Sequence, residues 1–347
     1  MRLAWVDAVK GFAMIGVVFA HVIHGYGESH LFPEHAMGLQ CLWDLCVSFL
    51  MPLFFMLSGY LYELTWNEQG RVSWKKIKNK FFDIFVLYLV FSVLFWCVKY
   101  SAVLFSHAVM MAHTVSFRDL FLIPVIPFNY LWFLWVLAFL FLVMPCCVKV
   151  FSRRASIVVL FFVGYLFPWA EWINERAAGI TAETFFYGGF YFVFGSYLRV
   201  LHFEIIRPGI KRGLFLLSVL LCVGNAWLYF FFRGSLWYSK MHDIVLALAI
   251  SYLVWYILAE YVGRSSSKTS FLQLCGEKSL EIYLLHLYFV GLFRTVFYKL
   301  GWENLPLLVL VTTVIALLCP LLTAHICDRI PALHYVFHPT DFLRKSR

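Results

Sequence analysis

Charge is what this chain has least of. Aspartate, glutamate, lysine and arginine make up 14% of its 347 residues, against about 25% in an average soluble domain. Hydrophobic residues make up 63% and aromatic residues 20%. A water-soluble fold cannot cover that much apolar surface, and long apolar runs recur from end to end. The expectation is an all-α, polytopic integral membrane protein: one transmembrane domain over 1–347, with no soluble domain attached. Other absences narrow the chemistry. No GxxxxGK[ST] loop occurs, and no GxGxxG follows a strand, so ATP hydrolysis and nicotinamide chemistry lack support. Neither an internal repeat of about 20 to 50 residues nor an inverted pair of broken helices is visible. The nine cysteines have no zinc spacing, and most lie in apolar runs where thiols pack as hydrophobes, so no metal is expected. A Cys41–Cys46 disulfide is one reading of that pair, and a helix end is the other. His107 and His113 also lack a metal spacing and read as surface histidines. The net charge of +9 comes from basic residues in short links rather than on one face, which argues against nucleic acid.

About ten stretches are long and apolar enough to span a bilayer, each needing roughly 20 residues. They run approximately over 8–26, 42–65, 81–105, 130–151, 156–172, 184–201, 213–232, 243–261, 279–299 and 305–326. No small-x-small cleavage site follows Gly25, so the first is expected to be retained. With both termini cytoplasmic, every basic residue falls on the inner side except Lys99, Arg118, Arg176, Arg233, Lys240, Arg294 and Lys299. That asymmetry follows the positive-inside rule and orients the chain. The basic link 66–80 reads as a topology anchor or as a surface for anionic headgroups or a phosphorylated substrate. The link 106–129, with Pro124 and Pro127, is expected to lie along the outer interface.

The first span carries ionisable residues that hydrocarbon penalises by about 2.5 to 3.5 kcal/mol each. At about 100° per residue, Asp7, Lys10, Met14, Val17, His21 and His24 share one stripe, while Phe12, Ile15, Phe19 and Val22 cover much of the rest. The stripe must face protein or water. His21 lies about 16 Å along the helix from Lys10, near mid-membrane. A neutral imidazole there can take a proton from a hydroxyl, as a general base does, or it can be an interhelical hydrogen-bonding group. In the second span Asp44, Ser48, Phe55, Ser58 and Tyr62 share a face, and Ser58-Gly59 permits close approach of a helix or ligand. In the ninth span Ser279, Tyr283 and His286 share a face, with His286 expected nearer the inner side than His21.

Five pieces in order resemble the membrane acyltransferase-3 family, and its fucose O-acetylase-like branch in particular. They are Asp7, Lys10-Gly11 and His21; Met51 to Tyr60 as MPLFFxxSGY; the basic loop before the third span; Leu131 to Leu134 as LWFL; and Ser279 to His286 as SLxIYLLH. Lysine at position 10 replaces the family's common arginine, leaving a point charge where a bidentate group often stands. Leu50 stands where a histidine often precedes MPLFF.

The resemblance implies an enzyme of the bacterial inner membrane that needs no resident cofactor. It would move an acyl group, most often acetyl, from cytoplasmic acyl-CoA to a hydroxyl of a cell-surface glycan or lipid-linked sugar, as in exopolysaccharide O-acetylation. His21 would be the catalytic base or an acyl carrier. Asp7, Lys10, Ser58, Tyr62, Tyr283 and His286 would bind acyl-CoA or support the site. Glycan-assembly proteins and membrane lipid are the other expected partners. The competing readings are a transporter or exporter of a glycan intermediate, and a structural partner of a glycan synthase.

Overall fold

The structure is a computed structural model, and it describes residues 3–29, 31–66, 73–105, 115–166, 176–232, 236–264, 270–330 and 335–337. Among these residues the regular structure is helical. The helices are α1 (Ala4–Glu28), α2 (Ala36–Tyr62), α3 (Trp74–Phe105), α4 (Phe117–Leu122), α5 (Trp132–Phe161), α6 (Arg176–Val200), α7 (Pro208–Phe232), α8 (Leu236–Arg264), α9 (Phe271–Glu277), α10 (Ser279–Lys299) and α11 (Leu305–Arg329). In an apolar chain a helix satisfies every backbone donor and acceptor within its own segment, which is why these runs fold this way. Among the described residues, eight helices are long and apolar enough to cross a membrane. The two expected spans 130–151 and 156–172 fall largely within one helical stretch, Asn129–Tyr165. It breaks at Ser152 (φ 61°, ψ 163°), where the link between them was expected. The 184–201 stretch is helical within α6 but is not among the eight.

The link 106–129 is partly outside the described residues, and so are His107 and His113 within it. Its described part forms α4, whose Phe117 and Phe121 are 57% and 68% exposed. Asp119 accepts from the Ser116 backbone N–H at 2.6 Å to start that helix. Tyr88 pins the rest of the link to α3, donating to the Ile123 carbonyl at 2.6 Å and accepting from the Phe128 N–H at 3.0 Å. Cys41 and Cys46 are free thiols within α2 rather than a disulfide. Among the described residues no cluster of three or more His, Cys, Asp or Glu could hold a metal ion.

The chain divides into two compact units, one of residues 1–54 and 205–329, the other of 55–204 and 330–347. In the first, α1 is surrounded by α8, α9, α10 and α11, while α7 packs on α8 and α10 on α11. Val9, Ala13, Val18 and Val22 of α1 have no exposed surface. The contact with α9 is backbone against backbone. A Cβ on Gly11 would sit 1.8 Å from the Leu272 carbonyl oxygen, and one on Gly276 would sit 1.8 Å from that of Asp7.

The second unit repeats the device with different helices. A Cβ on Gly59 of α2 would lie 1.8 Å from the Phe192 carbonyl oxygen, and one on Gly195 of α6 would lie 2.0 Å from that of Met56. Glycine lets two helices approach this closely in a medium where small residues, rather than water exclusion, drive helix association. Around the crossing, Phe55, Phe133, Phe141, Tyr191 and Phe192 make an aromatic core.

Lys278, at the junction of α9 and α10, donates to Asp328 at 2.6 Å and to Glu281 at 3.1 Å, tying that junction to the end of α11. Burial alone would lower its pKa, but the hydrogen bond to Asp328 and the charge of Glu281 outweigh burial and hold the ammonium above its ordinary 10.5. A lysine pKa raised on folding adds stability that is fully present below about 10.5 and is lost as pH climbs through the higher folded value.

Two outcomes are expected. Gly59→Val or Gly11→Val forces backbones apart and should cost at least about 1 to 3 kcal/mol, read as a lower melting temperature of the detergent-solubilised protein. Lys278→Met should cost about 0.5 to 1 kcal/mol near neutral pH, since the pair is partly solvated. Its deficit against wild type should shrink as pH rises above 10.5 and vanish only beyond the raised folded value, and a deficit that does not shrink over that range would show that the charge was not what Lys278 contributed.

Candidate functional site

The polar stripe of α1 turns inward over much of its length. Asp7, Met14 and Val17 are buried, and Lys10, His21 and His24 are half-buried. On the opposite side Phe12 is exposed and Ile15 and Phe19 are half-exposed, as a lipid-facing flank requires, whereas Val22 is buried. Asp7 and Lys10 stand one turn apart, beside the Gly11–Gly276 approach, so α9 closes over this end of α1.

Two turns beyond Met14, the stripe meets α10. His286 has no exposed surface, and its Nε2 lies 3.3 Å from His21 Nδ1, with ring centroids 4.9 Å apart. The expectation that His286 would lie nearer the inner side than His21 is therefore corrected. Gly276 sits beside Asp7, so α9 accompanies the first turns of α1 and α10 starts well along it. Seven residues into its own helix, His286 has reached the level of His21.

The surroundings of the two rings assign their hydrogens. His286 Nδ1 faces the carbonyl oxygens of Ile282 at 3.0 Å and Tyr283 at 2.8 Å. Carbonyls only accept, so in the neutral ring Nδ1 carries the hydrogen and Nε2 the lone pair. His21 Nδ1 likewise faces the Val17 carbonyl at 2.9 Å. It therefore donates, both to Val17 and toward the lone pair of His286 Nε2, and the lone pair of His21 falls on its Nε2. Tyr283, 4% exposed, has its ring 6.1 Å from that of His286 and holds it through its backbone carbonyl.

Sequence reasoning did not include Trp43, which comes from the first half of α2. Its indole stacks on His24 at 4.2 Å with a 22° interplanar angle, and meets His21 edge-on at 5.5 Å. No spacing rule signals this, because the two helices meet through tertiary packing. Toward the Glu28 end of α1, Arg294 of α10 donates to the Gly25 carbonyl at 2.5 Å, and Tyr26 pairs with Thr312 of α11 at 3.0 Å. These bonds anchor α1 between its two neighbours just past the histidines.

The remaining sequence candidates, Ser58 and Tyr62, belong to the second unit. Ser58 is half-buried beside the Gly59–Gly195 crossing. Tyr62 is 2% exposed, with its ring among those of Phe141, Phe192 and Trp66 at 5.5, 5.2 and 6.1 Å. The next residue, Glu63, accepts from the guanidinium of Arg153 and, at 2.5 Å, from the Ser196 hydroxyl. Arg199 donates to the Tyr60 hydroxyl at 3.0 Å. The structure thus brings His21, Tyr283 and His286 together in one unit, and sets Ser58 and Tyr62 in the other.

No curated protein and no solved structure matches this chain. One family model does, described as an acyltransferase domain, and it covers residues 3–325. That match takes in the helix of Asp7, Lys10 and His21, both glycine crossings and the paired histidine of α10. With its multiple membrane-spanning helices, the chain belongs to the acyltransferase-3 family.

Proposed function

We propose that this protein is a membrane O-acyltransferase that moves an acyl group, most simply acetyl, from acyl-CoA to a hydroxyl of a cell-surface glycan or lipid-linked sugar. The observation that carries the reading is the His21–His286 pair. The carbonyl of Val17 and Nε2 of His286 both call on the hydrogen at His21 Nδ1, so the basic lone pair belongs to His21 Nε2. A base oriented in this way by a second group is the arrangement that acyl transfer to a hydroxyl requires.

In the proposed reaction, His21 Nε2 takes the proton of the acceptor hydroxyl as its oxygen attacks the thioester carbonyl. The C–S bond breaks, and coenzyme A leaves as the thiolate, which recovers the proton from His21. While His21 is protonated, His286 Nε2 accepts from its Nδ1–H and steadies the imidazolium. An acyl group carried on His21 itself is the alternative order of events. Lys10 supplies positive potential for the phosphates of the donor, and Asp7 supports Lys10. Tyr283 positions His286. The protein would act in the bacterial inner membrane, with both termini in the cytoplasm and in the company of glycan-assembly proteins.

The test is transfer of labelled acetyl from acetyl-CoA in membranes containing the full chain, with mass spectrometry of the surface glycans before and after. His21→Ala should lower transfer at least about 100-fold and remove one acetyl unit from the glycan, while the protein's melting temperature stays near wild type. His286→Gln, whose amide oxygen can still accept from His21, should keep more activity than His286→Leu. Normal glycan acetylation by His21→Ala would overturn the proposed base. Movement of a glycan intermediate without any acyl donor would favour the transporter reading instead.

A further inference from the structure

The first half of α2 carries polar residues that the chemistry at His21 does not use. Gln40, Asp44 and Ser48 follow one another at i, i+4 and i+8, so they form a strip, each one turn from the next, on an otherwise apolar stretch. Gln40 donates its amide N–H to Asp44 at 2.8 Å, and both residues are exposed. Ser48 is buried and donates to the Leu45 carbonyl at 2.8 Å. Trp43, next to Asp44, is half-buried. Its indole covers the ring of His24 at 4.2 Å and meets that of His21 at 5.5 Å.

The strip runs deep into a helix long and apolar enough to cross the membrane. Asp44 lies eight residues, about 12 Å, in from the start of α2, and the contacts of Trp43 put it level with His21 and His24. A carboxylate at that depth does not face fatty chains; it faces the bundle interior or a water-filled space. Asp44 is exposed rather than enclosed by protein, so water must reach it. The indole beside it then stands between that water and the base.

The chemistry of this face selects its occupant. Asp44 accepts hydrogen bonds, and the Gln40 amide both donates and accepts, a pairing suited to hydroxyls, which do both. The carboxylate repels phosphate and other anions. Trp43 adds a broad apolar ring with a polar edge. An occupant that uses all three has several hydroxyls and an apolar C–H face, as a sugar ring does.

We infer that Gln40, Trp43 and Asp44 line the entry by which the acceptor sugar reaches His21. The inference deepens the acyl-transfer reading and rests on it for the acceptor, whereas the wet face follows from geometry. Trp43 packs against the C–H face of the sugar, Asp44 and Gln40 hold its hydroxyls, and a further hydroxyl is presented to the base.

The experiment uses the full chain in phosphatidylcholine nanodiscs, treated with a hydrophilic maleimide and read cysteine by cysteine by peptide mass spectrometry. Gln40→Cys and Asp44→Cys should be labelled. Leu42→Cys, on the apolar side of the same helix, should not. Equal labelling of all three, or none at the first two, overturns the wet face. The probe for the occupant is the cells' surface glycan, stripped of acetyl groups by mild alkali. It should suppress labelling of Gln40→Cys, and adding Trp43→Ala should abolish that protection; labelling that the glycan leaves unchanged overturns the sugar. Asp44→Asn should raise the KM for this glycan about 10-fold and leave that for acetyl-CoA unchanged. A rise in the acetyl-CoA KM instead would place the donor here and overturn the assignment. Protection requires no acyl transfer, so a glycan that protects but is never acetylated would count against the proposed reaction and not against this entry.

Discussion

Backbone pressed on backbone is the constraint from which the rest of the first unit follows. Gly11 meets the Leu272 carbonyl and Gly276 meets that of Asp7, which fixes how far along α1 the short helix α9 ends and α10 begins. That register decides that His286, rather than another residue of α10, arrives beside His21. Without hydrophobic driving force between helices in lipid, close packing at small residues is a principal source of such precision. Ionisable groups in α1 then become tolerable because their partners are held opposite them inside protein.

The second unit solves the same problem at Gly59 and Gly195 and spends it differently. There the close crossing carries an aromatic core up to Tyr62, and beyond it the helix ends gather arginines around Glu63. Aromatic side chains fill this interior because they bring large apolar area with a few polar atoms at the rim. Ser152, with its positive φ, interrupts an otherwise continuous apolar helix at the point where the arginines begin. The apolar run therefore does not simply continue, and Arg153 is set against the end of α2.

Much of this was readable from residue order. The low charge and recurring apolar runs announced a helical membrane protein, and the 3.6-residue period placed Asp7, Lys10, His21 and His24 on one face before any coordinates. The same periodicity aligned Tyr283 with His286. Exposed Phe12 opposite buried Met14 and Val17 confirms that the stripe faces protein. The division expected between 151 and 156 coincides with the break at Ser152 in the Asn129–Tyr165 stretch. The glycine- and tyrosine-rich α6, expected as a span, is helical but is not among the eight helices apolar enough to cross a membrane in the described residues.

By itself, the order of residues determined which segments are helices, which face of each is polar, and which side chains could do chemistry, because those properties repeat within a single helix. Which polar faces meet was decided by tertiary structure alone. The pairing of His21 with His286, the stacking of Trp43 on His24 and the gathering of Tyr62, Trp66 and Arg153 each join residues from different helices. The distances between those helices depend on where a missing side chain lets two backbones touch, and that is a property of the packed chain rather than of any one stretch of it.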